Sequence, residues 1–468
     1  MSDEAMDNEE GIQEGVAPGR QEGFREGMPP RRDIPDTHPP GFWFFFWGEF
    51  AERSSYYGMR AILPMYLTTV MMLPDTQAGP IYYRFKMACY FLPLLGGFLA
   101  DRFFGKYWTI VGFSVPYVAG HFILGIPEHW ALFLALGLLA GGSGVIKPNI
   151  STLMGLTYDQ QRPGKERLRS AAFMWFYFSI NVGALVSTYA MPMIRTQWSY
   201  AIAFQFPAWL MVLSLLVFAS GKRYYARETI GKVEETPEEK SEKWKTLAQL
   251  FGFFGLMVLF WVPYEHNDSL WVFFLRDYVD LRIPFTRYVV PPDQLQVLNP
   301  AFVLIFVPVF NILFRLVDPK GRVFTVFTKI LIGFFLTAAA SGIVASAASL
   351  YQTTQRPVSM LWVAGAYIVL TAAEVLLYGT GLELAYTAAP KNMKGFVTAC
   401  FLVTNTLGNF IDSFFSPLYG GSLKDAPEQR GPLAPAPFFT ISASIALVAG
   451  FAWIFVGRKF NKPAHSAA

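Results

Sequence analysis

Twelve long apolar segments run through this 468-residue chain, at roughly 41–71, 78–102, 106–126, 129–157, 166–194, 198–220, 246–276, 294–317, 323–348, 357–389, 394–421 and 435–457. At about 1.5 Å of rise per residue, each is long enough to cross a hydrocarbon layer of about 30 Å, several of them tilted. Charged residues make up only 15% of the chain, where a soluble chain holds about a quarter, so lipid is the expected solvent for most of it. The expected fold is an all-α membrane protein with twelve transmembrane helices. Its two cysteines, Cys89 and Cys400, both sit in apolar stretches and can build neither a disulfide framework nor a zinc site. No metal and no cofactor are expected.

Residues 1–40 are rich in Gly, Glu, Pro and Arg and read as a disordered tail. They lack the short apolar core of a signal peptide, so the first apolar segment is expected to be a retained span. Basic residues set the orientation. With the N-terminus inside, the cytoplasmic tails and loops carry 25 Lys and Arg against 7 in the opposite loops, which places both termini in the cytoplasm. The longest cytoplasmic loop, GKRYYARETIGKVEETPEEKSEKWK, falls between spans 6 and 7. Two six-helix bundles joined by a cytoplasmic linker are the layout of the major facilitator architecture. The expected divisions are a tail (1–40), an N-terminal bundle (41–221), a linker (222–245), a C-terminal bundle (246–460) and a short tail (461–468).

The stretch GEFAERSSYYGMR in span 1 carries Glu49, Glu52, Arg53 and Arg60. At about 100° per residue, these four and Tyr56 and Tyr57 fall within roughly 140° of one face, along about 16 Å of helix. Four charges at mid-membrane cost about 10–14 kcal/mol against lipid, so this face must pair or line an aqueous cavity. Glu49 and Arg53 form an i, i+4 pair, which supplies part of that pairing. A purely structural ion-pair knot is the competing reading. Other mid-span charges argue against it: Lys147 on span 4, Glu265 and Asp268 on span 7, and Glu374 on span 10. Complementary charges in both halves point to a central polar cavity with switchable pairs.

The ordered set EFAERSSYYGMR, CYFLPLLGGFLADRFFGKYWTI, GSGVIKPNIS, FYFSINVGA, FWVPYEHNDSL, NPAFVLIFVPVF, AEVLLYGTGLELAYTAAPKNMKG and TLGN resembles the proton-dependent oligopeptide transporters. The resemblance covers essentially residues 41–457 and begins with that family's E-x-x-E-R-F-x-Y-Y-G motif. It implies a proton-coupled symporter that imports di- and tripeptides by alternating access, with small peptides and protons as partners and the lipid bilayer as its setting. By the same resemblance, Glu49, Glu52 and Arg53 match the proton-coupling triplet, with Glu265 a further candidate. Tyr57, Tyr90 and Tyr177 match pocket tyrosines, and Phe401 stands where a pocket Trp is common. Arg60 and Lys147 match groups at the peptide carboxylate end. Asn181, Asn299 and Glu374 match groups that receive its amino end. Arg60 with Glu265 is the expected outer gate pair, and Lys147 with Glu374 the inner one.

Several positions depart from the family pattern. Ser54 replaces a usual Phe, Tyr378–Gly379 replaces Ser–Pro, and EHND on span 7 adds His266 and Asp268. Tyr83 stands at the position of a histidine of animal members, so that histidine cannot carry a proton here. The linker is too short for the two extra helices of many bacterial members, and the loop before span 10 too short for the ectodomain of animal ones. A compact bacterial form, in the inner cell membrane and working as a monomer, is the resulting expectation. Lys86 and Arg84 enter span 2 from outside. Snorkelling to the headgroups is the favoured expectation for them, with a Lys86–Asp412 tie as the alternative. His266, beside Glu265, is a candidate for tuning the pH response, and His121 reads as a packed residue.

A transporter of another small solute, such as a peptide-like drug, nitrate or an amino-acid derivative, is the alternative on this scaffold. The amine-receiving set Asn181, Asn299 and Glu374 argues against nitrate. No metal constellation, P-loop or nucleophile motif supports an enzyme, and nothing points to nucleic acid. Charges without rings or a filter motif argue against a channel.

Overall fold

The computed structural model describes residues 35–228, 236–283, 285–319, 322–389 and 394–460. The first half consists of α1 (Gly41–Thr69), α2 (Asp75–Leu99), α3 (Lys106–Leu124), α4 (His129–Gln161), α5 (Glu166–Gln197) and α6 (Tyr200–Ser220). The second consists of α7 (Pro237–Glu265), α8 (Leu270–Tyr278), α9 (Leu298–Val317), α10 (Val326–Thr354), α11 (Leu361–Ala388), α12 (Lys394–Phe415) and α13 (Pro435–Val456). Consecutive α7 and α8 form the seventh span, so these thirteen helices make twelve crossings.

Ten of the crossings are apolar enough to be read as spans from composition alone. The exceptions are α1 and α12. Every 18-residue window of α1 holds at least three charged residues, and α12 carries Thr404, Asn405, Thr406, Asn409 and Asp412. Both are tolerated because these polar groups turn inward, where Glu49, Glu52, Arg53, Asn409 and Asp412 are all buried.

In the first half, α1 packs on α5 and α6, and α4 on α2 and α3. In the second, α10 packs on α11 and α13, and α7 on α12 and α13. The halves meet chiefly where α2 lies against α12 and where α5 lies against α9 and the turn Pro292–Val297 before it. Close crossings need small residues. A Cβ on Gly96 of α2 would lie 2.6 Å from the Val145 Cα of α4.

The break in the seventh span matters most for the site. Pro263 sits two residues before the end of α7, and His266–Asp268 then form a 3-10 turn. Backbone carbonyls freed there need new donors inside a membrane. Tyr367 donates to the Asn267 carbonyl (2.6 Å), Asn267 Nδ2 to the Tyr264 carbonyl (2.6 Å), and Tyr83 to the Glu265 carbonyl (3.4 Å).

At the cytoplasmic face, the Glu228 carboxylate accepts from the Lys106 and Tyr107 amides at 2.7 and 3.1 Å, covering the N-terminus of α3. Asp318 accepts from the amides of Phe324, Val323 and Arg322, and these bonds, Phe324's first, hold its carboxyl below the usual range. Residues 1–34 of the expected N-terminal tail and all of 461–468 lie outside the described residues. The last residues of that first tail are anchored: His38 Nδ1 meets the Tyr158 hydroxyl at 2.5 Å and its ring stacks on Phe42. Burial, then Arg162, lowers the His38 pKa. Helix α7 begins at Pro237, inside the stretch expected as linker.

Candidate functional site

A cavity of about 330 Å³ lies between the halves. That volume is at the lower end for a small-molecule site, which runs to about 300–1,000 Å³. Arg53, Tyr57 and Arg60 reach it from α1, Lys86 and Tyr90 from α2, Lys147 from α4, and Tyr177 and Asn181 from α5. From the second half come Glu265 on α7, Asp268 on the following turn, Asn299 on α9 and Glu374 on α11. The α1 residues share this wall because their spacing of three, four and seven repeats the helical period.

Charge is segregated across the cavity. All four lining cations, Arg53, Arg60, Lys86 and Lys147, belong to the first half. All three lining carboxylates, Glu265, Asp268 and Glu374, belong to the second.

Three of the cations are engaged. Arg53 Nε lies 3.2 Å from Glu49 Oε1 and also bonds Glu52, with all three side chains buried. Arg60 Nη2 meets Asp268 Oδ1 at 3.2 Å, its guanidinium over the Tyr57 ring. Lys86 bonds both Glu265 and Asp268. Lys147 forms no ion pair among the described residues and lies over the Tyr90 ring, 5.0 Å from its centroid. On the opposite side Glu374 pairs with no cation among the described residues either. It accepts from Asn299 Nδ2 at 2.7 Å. One free cation and one free carboxylate thus remain, one on each wall.

Neither expected gate pair is formed in this structure. Arg60 pairs with Asp268 rather than Glu265, because the 3-10 turn carries Asp268 across to α1 and leaves Glu265 facing α2. Glu265 instead binds Lys86 and accepts from Asn405 Nδ2 at 2.7 Å. Lys147 and Glu374 are not joined. Lys86 does not snorkel: its side chain is 1% exposed, whereas Arg84 is exposed. Nor does Lys86 bond Asp412, whose Oδ1 meets His266.

Phe401 does not line the cavity. It is fully buried behind Tyr378, stacked on that ring and on Phe253. Glu49 and Glu52 stand behind Arg53. The wall includes Trp261, Tyr264 and Tyr378, none of them expected there. A signal was available for span 7: Trp261, Tyr264, Glu265 and Asp268 are spaced three, four and seven apart and form one stripe.

The outer side is closed. Every ion pair between the halves among the described residues lies in the outer half of the spans or at their outer ends. Besides those at Arg60 and Lys86, Arg195 at the outer end of α5 grips Asp293 with two bonds of 2.6 and 2.7 Å. Arg276 on α8 grips Asp75 at 2.9 and 3.1 Å. Two-pronged guanidinium–carboxylate contacts of this kind fix geometry as well as charge.

The sequence and the fold both have counterparts among known proteins. The model of the POT family (PTR2) matches residues 107–236 and 228–428, well over half of the chain. The chain belongs to the POT family. Among curated proteins it is 30% identical over 373 residues to solute carrier family 15 member 2 of Mus musculus, covering 68% of this chain and 50% of that protein. It is 30% identical to solute carrier family 15 member 1 of Homo sapiens over 65% of this chain and 51% of that one. This POT chain spans about half the length of the curated relatives it matches.

Solved POT structures overlay on nearly the whole fold. The auto-inhibited POT family peptide transporter matches with a TM-score of 0.79 at 25% identity, over 92% of this chain and 99% of that one. The POT family transporter PepTSo matches with a TM-score of 0.78 at 26% identity, over 91% and 99%. The fold is the major facilitator architecture of these transporters, twelve spans in two bundles, and the chain is a multi-pass membrane protein of the POT family.

Proposed function

We propose that this POT protein is a proton-coupled symporter that imports short peptides by alternating access. The observation that carries the reading is the separation of free charges, with Lys147 on one wall and Glu374 on the other. A zwitterion with one carboxylate and one amine satisfies both at once, and a backbone common to all short peptides can do so whatever its side chains. Arg60 supports the carboxylate end, and Asn299 and Asn181 the amino end. Tyr57, Tyr90, Tyr177, Trp261, Tyr264 and Tyr378 give apolar walls with polar rims.

Coupling is assigned to the Glu49–Glu52–Arg53 triplet, with Glu52 and Glu49 as proton acceptors. While both are ionised they hold Arg53. A proton on either weakens that hold and leaves positive charge for the substrate carboxylate. Glu265, tied to Lys86, is the third acceptor and links the same chemistry to the outer gate. Closing of the inner face then brings Lys147 and Glu374 towards each other. The bacterial inner membrane is the proposed setting and the monomer the proposed working unit.

Uptake of a labelled dipeptide into proteoliposomes under an imposed inward proton gradient tests this reading. Accumulation that collapses with a protonophore is expected. Saturable uptake of an amino-acid derivative with no response to competing dipeptides would replace the peptide with another small zwitterion on the same scaffold.

A further inference from the structure

Beyond the α7–α8 break lies a second buried ionisable group that peptide coupling does not use. His266 and Asp412 meet Nε2 to Oδ1 at 3.1 Å, both side chains wholly inaccessible. On the other side of the ring, His266 Nδ1 lies 3.2 Å from Ser442 Oγ of α13. That hydroxyl also lies 3.1 Å from the Phe438 carbonyl, so its single hydrogen goes to one of these two acceptors. With that hydrogen on the carbonyl, Nδ1 carries one of its own. Nε2 then meets Asp412 either as N–H to carboxylate or as a lone pair facing a carboxyl O–H. In both arrangements the pair holds one proton more than a carboxylate beside a neutral imidazole. In the remaining arrangement two lone pairs would face each other at 3.1 Å.

Charge balance selects the arrangements with the extra proton. The groups facing Asp412 are Lys86 and Tyr83 from α2, Glu265 from α7 and His266 from the turn. Lys86 is the only fixed cation among them, and it is already shared by Glu265 and Asp268. With Arg60 on Asp268, two cations balance two carboxylates and none is left for Asp412. Its Oδ2 is buried without a hydrogen-bond partner among the described residues. An unpaired buried carboxylate is strongly unfavourable, and the added proton removes it.

We infer that His266 and Asp412 form a second proton-binding site, separate from Glu49 and Glu52, which fills from the extracellular side and must be filled for the outer face to close. Its direction of loading rests on the proposed transport cycle. Opening the outer face parts Lys86 and Arg60 from Glu265 and Asp268 and admits water to the turn that bears His266. There the pair takes its proton from extracellular water. Closing removes that water, and only the protonated pair can be buried.

The test needs no peptide. Purified protein in nanodiscs is taken from about pH 8 to about pH 6 in weakly buffered solution with an indicator dye, a range in which histidine-linked sites fill. The wild type should take up one more proton per chain than Asp412→Asn, with Asp412→Ser in its place if the Asn variant does not fold. Spin labels on the outer ends of α2 and α12 should separate in the wild type as pH rises, and stay close in the neutral variant. Equal proton uptake, or the same pH dependence of the label distance, overturns the inference. Failure of dipeptide uptake in the wild type would instead count against the proposed cycle.

Discussion

Arg60 on α1 and Asp268 on the turn after α7 join the two halves at 3.2 Å, in the roof of the cavity. Lys86 of α2 shares the same carboxylate, so one acid holds two helices of the opposite half. Removing one partner of a buried ion pair costs about 3–5 kcal/mol, far more than the pair is worth relative to an apolar replacement.

Asp268→Asn should therefore release α1, leave α2 held only through Lys86–Glu265, and shift the population towards an open outer face by about tenfold or more. Distances between spin labels on the outer ends of α2 and α13 will measure it. An unchanged distribution would mean that Lys86–Glu265, Arg195–Asp293 and Arg276–Asp75 are sufficient to keep the face closed.

Glu52→Gln removes a titratable group from Arg53 while keeping its shape. Uptake driven by a proton gradient should disappear, and counterflow of dipeptide at equal pH should persist. Gradient-driven accumulation at wild-type rates would take Glu52 out of the coupling scheme.

Glu374→Gln tests the amino end of the site. Hydrogen bonds to charged groups contribute about 1.5–3 kcal/mol, or roughly 10–150-fold in affinity. The variant should lose about that factor for a free dipeptide and little for its N-acetylated form, so that the wild-type preference for a free amine narrows. Competition assays with the two ligands read it directly. Lys147→Ala should show the mirror result with a C-terminally amidated peptide.

Gly96→Ala puts a methyl group 2.6 Å from the Val145 Cα, where backbone rather than a flexible side chain must give way. Overpacking of this kind costs about 1–3 kcal/mol, so the melting temperature in detergent should fall, whereas Gly97→Ala next to it meets open space and should be silent.

The face of α1 was legible without coordinates because period and charge are local. Glu49, Glu52, Arg53, Tyr57 and Arg60 repeat at helical spacing, and lipid forbids their exposure. For the same reason Lys147, Glu265, Asp268 and Glu374 could be assigned to one interior. Trp261 and Tyr264 lay on a stripe with Glu265 and Asp268 that the same spacing would have revealed.

Which charges meet is a different kind of fact. Helical period fixes where a side chain points on its own helix, but not how that helix is rotated against its neighbours. The 3-10 turn at His266–Asp268 sends Asp268 to Arg60 and Glu265 to Lys86, and draws Asp412 onto His266. Rotation of α12 likewise hides Phe401 behind Tyr378. Hydrophobicity and charge along the chain determined a two-bundle membrane protein with a polar interior. The pairing inside it was decided only by packing, because ion pairs depend on distances across helices that share no sequence period.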